Sequence, residues 1–423
     1  MARTGELTAP ELDAFVATVV PRLPDSPVVV ALSGGADSAA LAFAVVSRGG
    51  PARAVTVHHH LPGSGAMVQA ATRIAERLGL AHQVIDVAGG ESETELRERR
   101  LAAIESILRD GETVLTGHTR DDQAETVLGN LLRGTGLSGL AGIPSRRGAW
   151  VRPMLDIPRE AAREVATLAG LAFADDPQND DPAIRRNRLR AETIPALARD
   201  FNPELLAALA RTGRLAAADD ALLDRRAEVV PLRWDEGAVL IPVAALTALP
   251  EPIASRVVRH ALRMMLDPYP GTSSDVAAVL GAVAGPAASV SGGLIATREG
   301  AYVALHRGDQ HEPLEPVELG VPGATLFGGW RIESGRVGLG RHGAMIAADG
   351  PLVVRAVRPG DRISIRGGTK KVSDALGEAG VPLRLRARWP VVESGGRIAW
   401  LVSIRASDER QGEVGMAATR LSE

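Results

Sequence analysis

At 423 residues, with 45% apolar side chains, the chain is long enough for two or three domains with sizeable cores, and no uninterrupted apolar stretch reaches the roughly 20 residues of a membrane helix. The formal net charge of −3 argues against a uniformly basic nucleic-acid-binding surface but can hide a local field, and the absence of cysteine excludes disulfides, thiolate metal sites and persulfide chemistry on the chain. The first residues carry Arg3, Glu6 and Glu11 and lack the basic, apolar, small-residue order of a signal peptide, so the reading is a cytoplasmic protein.

Thr8-Ala9-Pro10-Glu11 has the form of a capping box and predicts a helix to about residue 20. Strand and helix signals then alternate: strand 28–32, helix 38–46, strand 54–57, helix 66–78, strand 82–87, a charged helix at about 94–108, strand 113–116 and helix 121–132. Apolar strands separated by helices imply an α/β fold, a parallel sheet with helices on both faces. Ligands of such a sheet bind at the carboxyl ends of the strands, where Ser33, His58 and Gly117 fall.

After a glycine-rich loop at 134–144 and a polar segment at 175–182, alanine and leucine at helical spacing predict packed helices over 191–226, continued at 251–265 and 274–284. Beyond Leu294 short β-like runs separated by glycine pairs take over, with a linker at 308–316. The expected division is a catalytic domain at 1–205, a helical middle domain at 206–310, and a small, basic α+β domain at 317–423. From Pro351 to Arg410 there are 12 Lys or Arg against 6 Asp or Glu, a local surplus of 6 inside an acidic chain. Lys370 and Lys371 are the only lysines, and the remaining basic residues are arginine, which suits bidentate phosphate contacts.

Two segments carry chemistry. Ser33-Gly34-Gly35-Ala36-Asp37-Ser38 joins the first sheet strand to a helix. Its glycines let the backbone approach an anion, its serines add hydroxyl donors, and the helix start supplies N–H groups. Asp37 would repel bare phosphate, so a Mg²⁺ ion bridging its carboxylate to phosphate oxygens makes ATP the better fit. The spacing is not that of a Walker loop; it resembles the PP-loop, SGGxDS, whose enzymes cut ATP between the α- and β-phosphates and adenylate a carbonyl oxygen. The second segment, His118 to Thr126, opens a helix on which Asp122 and Glu125 share a face, either as caps or as a pocket for a cation or amine. His58-His59-His60 could face one metal ion with at most two of its rings, and the reading adopted is nucleotide contact by His59.

The run Thr116-Gly117-His118-Thr119-Arg120-Asp121-Asp122-Gln123-Ala124-Glu125-Thr126, with Leu131-Leu132-Arg133-Gly134-Thr135-Gly136 and Gly139-Leu140 after it, closely resembles the tRNA(Ile)-lysidine synthetase family. Val57-His58-His59, Arg97, Arg100, Arg152-Pro153, Asp175-Asp176-Pro177 and Arg186-Asn187-Arg188-Leu189-Arg190 extend the resemblance. In the terminal module Val354-Arg355, Arg358-Pro359-Gly360-Asp361-Arg362, Lys370-Lys371 and Arg388-Trp389-Pro390 continue it. His60, Pro62, Leu101 and Thr119 depart from the usual family pattern.

The resemblance implies ATP-dependent attachment of free L-lysine to the wobble cytidine of the isoleucine tRNA with a CAU anticodon, which changes its identity from methionine to isoleucine. It further implies that Ser33, Gly34, Gly35, Ala36 and Ser38 cradle pyrophosphate, that Asp37 holds Mg²⁺, and that Arg97 and Arg100 meet the α-phosphate. His59, Gly117 and His118 are expected at ATP; His118, Asp122 and Glu125 at lysine, one carboxylate accepting its proton. Arg186, Asn187, Arg188 and Arg190 would grip the anticodon stem, and Arg355, Arg358, Arg362, Lys370, Lys371 and Arg388 the acceptor stem of the tRNA. A monomer or homodimer is expected. The competing readings are another PP-loop adenylating ligase and a non-catalytic tRNA-binding relative. Thiolation is disfavoured by the missing cysteines, and amidation by the lack of a glutaminase-like cysteine.

Overall fold

A computed structural model describes residues 9–60, 63–87, 93–176, 184–308, 313–336, 342–408 and 413–421. The chain divides into two compact units, residues 1–222 and 223–423. Among the described residues no helix is long and apolar enough to cross a membrane.

The first unit alternates as the hydrophobic pattern requires: α1 (Ala9–Val19), β1 (Val28–Ala31), α2 (Ala36–Arg48), β2 (Ala52–His58), α3 (Ser64–Leu78), β3 (Ala81–Asp86), α4 (Glu93–Glu105), β4 (Thr113–Leu115) and α5 (Arg120–Leu131). Short pieces follow: α6 (Leu137–Leu140), β5 (Arg146–Arg147), β6 (Trp150–Val151), α7 (Arg159–Leu168), α8 (Arg185–Arg188), a π-turn at Leu189–Thr193, α9 (Ile194–Asp200) and the long α10 (Leu205–Glu228). The sheet order is β3-β2-β1-β4-β6-β5, parallel except for β5.

Period-two alternation sends the strand residues to two cores. Val28, Val30 and Ala54 pack with Ala39, Leu41 and Ile74 under α2 and α3, while Val29, Val55 and Val114 pack with Ile104 of α4 on the opposite face. The sheet is therefore covered on both sides, as expected for buried parallel strands. Because β1 continues to β2 on one side and pairs with β4 on the other, the chain direction across the sheet reverses between β1 and β4. A crevice opens at that reversal, at the carboxyl ends of both strands.

In the second unit the middle segment has the expected helices, α12 (Glu251–Leu266) and α13 (Ser273–Gly281), preceded by a short α11 (Val243–Ala248) that was not expected, and they pack on an antiparallel sheet. Its strands are β7 (Arg233–Asp235), β8 (Ala238–Pro242), β9 (Ala288–Val290), β10 (Leu294–Glu299) and β11 (Tyr302–Arg307), in the order β7-β8-β11-β10-β9. Short apolar runs such as 238–241 carry no periodicity that separates strand from helix, which is why the sequence pattern alone favoured helices here. The terminal segment forms two further sheets with the helix Val372–Glu378, around a core that includes Trp330, Trp389 and Trp400.

One ion pair ties the amino-terminal side of the first sheet. Arg53 on β2 donates from Nε and Nη2 to Glu112 at 2.8 and 2.7 Å, and Glu112, just before β4, also accepts the Arg109 N–H at 2.8 Å. These bonds hold the Glu112 carboxyl down at about 2. A carboxylate with a depressed folded pKa contributes stability above its ordinary value near 4.5 and loses that contribution as pH falls toward 2. Glu112→Gln should therefore cost about 2 kcal/mol at neutral pH. In urea unfolding from pH 7 to pH 2.5, variant and parent should converge toward the acid end; a constant difference would refute the ionic origin.

Candidate functional site

The loop between β1 and α2 is shaped by its glycines. Gly34 has φ +88°, and a Cβ there would lie 2.2 Å from the Met67 carbonyl oxygen of α3, so only glycine fits. The loop closes on itself: the Gly35 N–H donates to Ser33 Oγ at 3.3 Å, the Ser33 N–H to Ser38 Oγ at 3.2 Å, and Ser38 Oγ to the Gly35 carbonyl at 2.9 Å. No side chain caps α2 at Gly35, so the positive end of a 13-residue helix faces the crevice. Ala36 and Ser38 are buried in its first turn.

Gly117 reaches this turn from the other side of the crevice. A Cβ at 117 would meet the Asp37 carbonyl oxygen at 2.8 Å and the Ser38 nitrogen at 3.0 Å, so β4 and α2 meet backbone to backbone. His118 follows, its Nδ1 2.8 Å from Thr116 Oγ1, and then α5 begins at a capping box. Asp122 Oδ2 accepts the Thr119 N–H at 2.7 Å, which answers the capping reading. Its other oxygen is used differently.

Asp122 Oδ1 receives Arg159 Nη2 at 2.6 Å and Arg186 Nη2 at 2.8 Å. Glu125, one turn on, receives Arg159 Nη1 at 3.1 Å, Arg186 Nε at 2.8 Å and Arg190 Nε at 2.7 Å. Arg159 Nε also lies 3.6 Å from Asp37 Oδ2, so the phosphate loop, α5, α7 and the segment from α8 into the π-turn meet in one cluster. Arg186 and Arg190 are one turn apart and present the same face.

Burial raises the Asp122 carboxyl, but Arg159, Arg186 and the Thr119 N–H reverse this and hold it below the usual carboxylate range. Glu125 follows the same balance, with Arg190, Arg159 and Arg186 outweighing burial. Asp37 goes the other way: burial lifts it to about 6, only partly offset by Arg159, and Asp122 and Asp121 add repulsion. Its Oδ1 is buried without a hydrogen-bond partner among the described residues. An unpartnered buried carboxylate oxygen beside an anion cradle has the hard-donor chemistry that a Mg²⁺ ion takes.

Other expected residues fall in several places. His59 is at the end of β2, with its Nδ1 buried and without a partner among the described residues, and burial and then the charge of Arg100 on α4 lower its pKa. Arg97 lies on α4, but its side chain is outside the described residues, as are Pro62 and Pro177. Asn187 is buried and Arg188 exposed. Arg186 and Arg190, expected on the anticodon stem, sit on the carboxylates.

In the terminal module Arg355 is turned inward: it is 4% exposed and paired with Asp361 at 2.8 Å and Glu393 at 2.5 Å, an internal ion pair rather than an exposed cation. Arg362 and Lys371 are opposite one another on a hairpin and exposed, as is Arg358. Lys370 pairs with Glu378, and Arg388 is half-buried. Arg159 was not expected at all. Its available signal was an arginine directly after Pro158 at a helix start, where the dipole favours acids.

Two family models match the chain: the PP-loop domain over residues 8–197 and the TilS substrate C-terminal domain over residues 352–422. Among curated proteins, the tRNA(Ile)-lysidine synthase of Salinispora tropica is 41% identical over 314 residues, 68% of this chain and 93% of that one. That of Thermus thermophilus is 32% identical over 408 residues, 93% of this chain and 72% of that one. That of Salinispora arenicola is 44% identical over 271 residues, 60% of this chain and 80% of that one.

The close approach at Gly117 gives a direct test of the crevice. Gly117→Ala should push β4 away from the first turn of α2 and weaken ATP binding about tenfold or more, with far-UV circular dichroism retained. Unchanged ATP affinity by calorimetry would show that the contact does not shape the nucleotide site.

Proposed function

The chain belongs to the tRNA(Ile)-lysidine synthase family, and we propose how its crevice carries out the ATP-dependent formation of lysidine on tRNA(Ile). The carrying observation is that two buried carboxylates, Asp122 and Glu125, converge with the phosphate loop through Arg159. In this reading the loop hydroxyls and helix N–H groups hold the leaving pyrophosphate while the carbonyl oxygen on carbon 2 of the wobble cytidine attacks the α-phosphorus. The ε-nitrogen of lysine then attacks carbon 2, AMP departs with the former carbonyl oxygen, and the amine gives up its proton.

Asp37 would hold Mg²⁺, which would neutralise phosphate charge. Arg97 and Arg100 on α4 are assigned to the α-phosphate, and His59 and His118 to ATP, with His118 also serving lysine. Asp122 and Glu125 are assigned to seating the ammonium group. With the guanidinia in place both carboxyls lie below their usual range and are weak proton acceptors, so holding charge comes before taking a proton.

A charge balance refines the assignment. Asp37, Asp122 and Glu125 face Arg159, Arg186 and Arg190, so an entering ammonium adds an uncompensated positive charge unless a guanidinium leaves. The side chains of Arg159, Arg190 and Arg186 are 24%, 31% and 37% exposed, which makes Arg186 and Arg190 the ones able to turn outward. Phosphates of the anticodon stem offer them bidentate acceptors of at least equal strength. Those two arginines thus serve lysine and tRNA in turn. Arg358, Arg362 and Lys371 form the basic surface assigned to the acceptor stem. The protein is placed in the cytoplasm, as a monomer or homodimer, with free L-lysine as co-substrate.

Incubation with CAU-anticodon tRNA(Ile) transcript, ATP, Mg²⁺ and labelled L-lysine should give label in the tRNA, and no incorporation would sink the reading. Asp122→Asn and Glu125→Gln should each lower incorporation by about 100-fold or more while ATP affinity holds within about threefold. Turnover at the parent rate in either variant would remove that residue from the lysine seat.

Arg186→Gln separates the two duties proposed for the arginine. It should lower the lysine Kd measured without tRNA and raise the KM for tRNA, each by roughly three- to tenfold. No change in either would show that Arg186 only braces the fold.

A further inference from the structure

At the carboxyl ends of β2 and β3, His58 and Asp86 are register partners, and His60 curls back beside them. His58 Nδ1 and His60 Nε2 lie 3.2 and 2.9 Å from the same oxygen, Asp86 Oδ1. The two imidazole rings are 4.0 Å apart between centroids, tilted by 45°. The three candidate donor atoms all lie within 4.8 Å of one another.

Two further observations set this group apart from a surface ion pair. His60 has φ +54°, a left-handed backbone that costs a non-glycine residue about 1–2 kcal/mol, yet that conformation is what returns its ring to the side of His58. His59, between them, points elsewhere: its Nδ1 is buried and electrostatically coupled to Arg100, so the tract divides its rings between two environments. The spacing also suits coordination. Ligand atoms about 2.0–2.1 Å from a tetrahedral ion are about 3.3 Å from each other, close to the observed 2.9 and 3.2 Å.

We propose that His58, His60 and Asp86 bind a borderline divalent transition metal, with Zn²⁺ as the representative ion, leaving at least one coordination position open. Two imidazoles and one carboxylate suit Zn²⁺, Co²⁺ or Ni²⁺ and are a poor set for Mg²⁺, which prefers oxygen ligands and retains its water. The site is thereby chemically distinct from Asp37. Its rings are 22% and 54% exposed for His58 and His60, so an ion can enter from solvent without opening the fold. Bound there, the metal would link the ends of two adjacent strands next to His59.

The test uses the full, tag-free chain, stripped with chelator and titrated with Co²⁺ in the presence of excess Mg²⁺. The expected result is visible d–d absorption saturating at one equivalent and displaced by Zn²⁺. Asp86→Asn and His60→Gly should each weaken Co²⁺ binding about tenfold or more, whereas His59→Gln should leave it within about threefold. His60→Gly also relieves the left-handed backbone, so its loss of binding cannot be assigned to misfolding. Absence of the absorption, or binding that survives both Asp86→Asn and His60→Gly, would overturn the proposal. None of these readouts depends on lysine transfer.

Discussion

Gly117 and the first turn of α2 are in backbone contact, and the candidate site follows from that approach. With no side chain at 117, β4 can end against Asp37 and Ser38, which places the start of α5 beside the phosphate loop. The parallel pairing of β1 with β4 supplies the crevice, but pairing alone would leave room for a side chain there. Glycine removes it. Gly34 does the same on the other side of the loop, where the Met67 carbonyl oxygen of α3 occupies the space of a Cβ. Two backbone contacts thus fix the loop between α3 and β4, and its serine hydroxyls complete the closure with internal hydrogen bonds. A cradle held this way keeps its donors oriented without a ligand, which is what electrostatic preorganisation requires.

Bringing Asp37, Asp122 and Glu125 into one crevice creates an electrostatic problem that the arginines resolve. Three carboxylates in a partly buried space would protonate or push apart, and Asp37, the acid with the weakest pairing, is lifted to about 6 by burial first, with Asp122 and Asp121 adding repulsion. Asp122 and Glu125 escape it because each has two or more guanidinium contacts. Their arginines come from segments far along the chain, α7 and the region from α8 to the π-turn, so the cluster also closes the first unit around its site. A π-turn within a helical run is a frequent companion of functional positions, and here it begins just after Arg188, between Arg186 and Arg190.

The sequence made the loop and its helix legible because both are local. Glycine spacing, the apolar strand before it and the acids at 122 and 125 lie within short windows, and the strand–helix alternation needs only periodicity. What stayed hidden was non-local. Nothing around Arg159 announces that it will meet Asp37 and two residues of α5, and a basic run at 186–190 reads equally as an RNA grip or as a carboxylate partner until the chain is folded. Arg355 shows the same limit: in the sequence it joins a basic module, whereas in the fold it pairs with Asp361 and Glu393. The strands from Leu294 onward agree with the β-like runs expected there, whereas β7, β8 and β9 escaped because strands of three to five residues leave too few periods to distinguish from helix.

The side chains paired with Asp122 and Glu125 across the cluster are Arg159, Arg186 and Arg190, and for the lysine seat proposed above this has chemical weight. A lysine at 159, 186 or 190 would present a primary amine of the same kind as the substrate's, tethered within reach of an activated base. Deprotonated, it could attack in place of the substrate and leave the enzyme joined to its RNA. A guanidinium pairs with carboxylate or phosphate as well as an ammonium does, forks onto two oxygens, and stays protonated throughout. For Arg159 burial works against the charge, but Asp122, Glu125 and Asp37 more than compensate and raise its pKa above the arginine value. The chain's two lysines, Lys370 and Lys371, are in the terminal module. An arginine-rich composition accounts for much of that pattern, but under the proposed lysine seat it has a direct consequence: the cluster's own cations offer no primary amine to compete with those of the substrate.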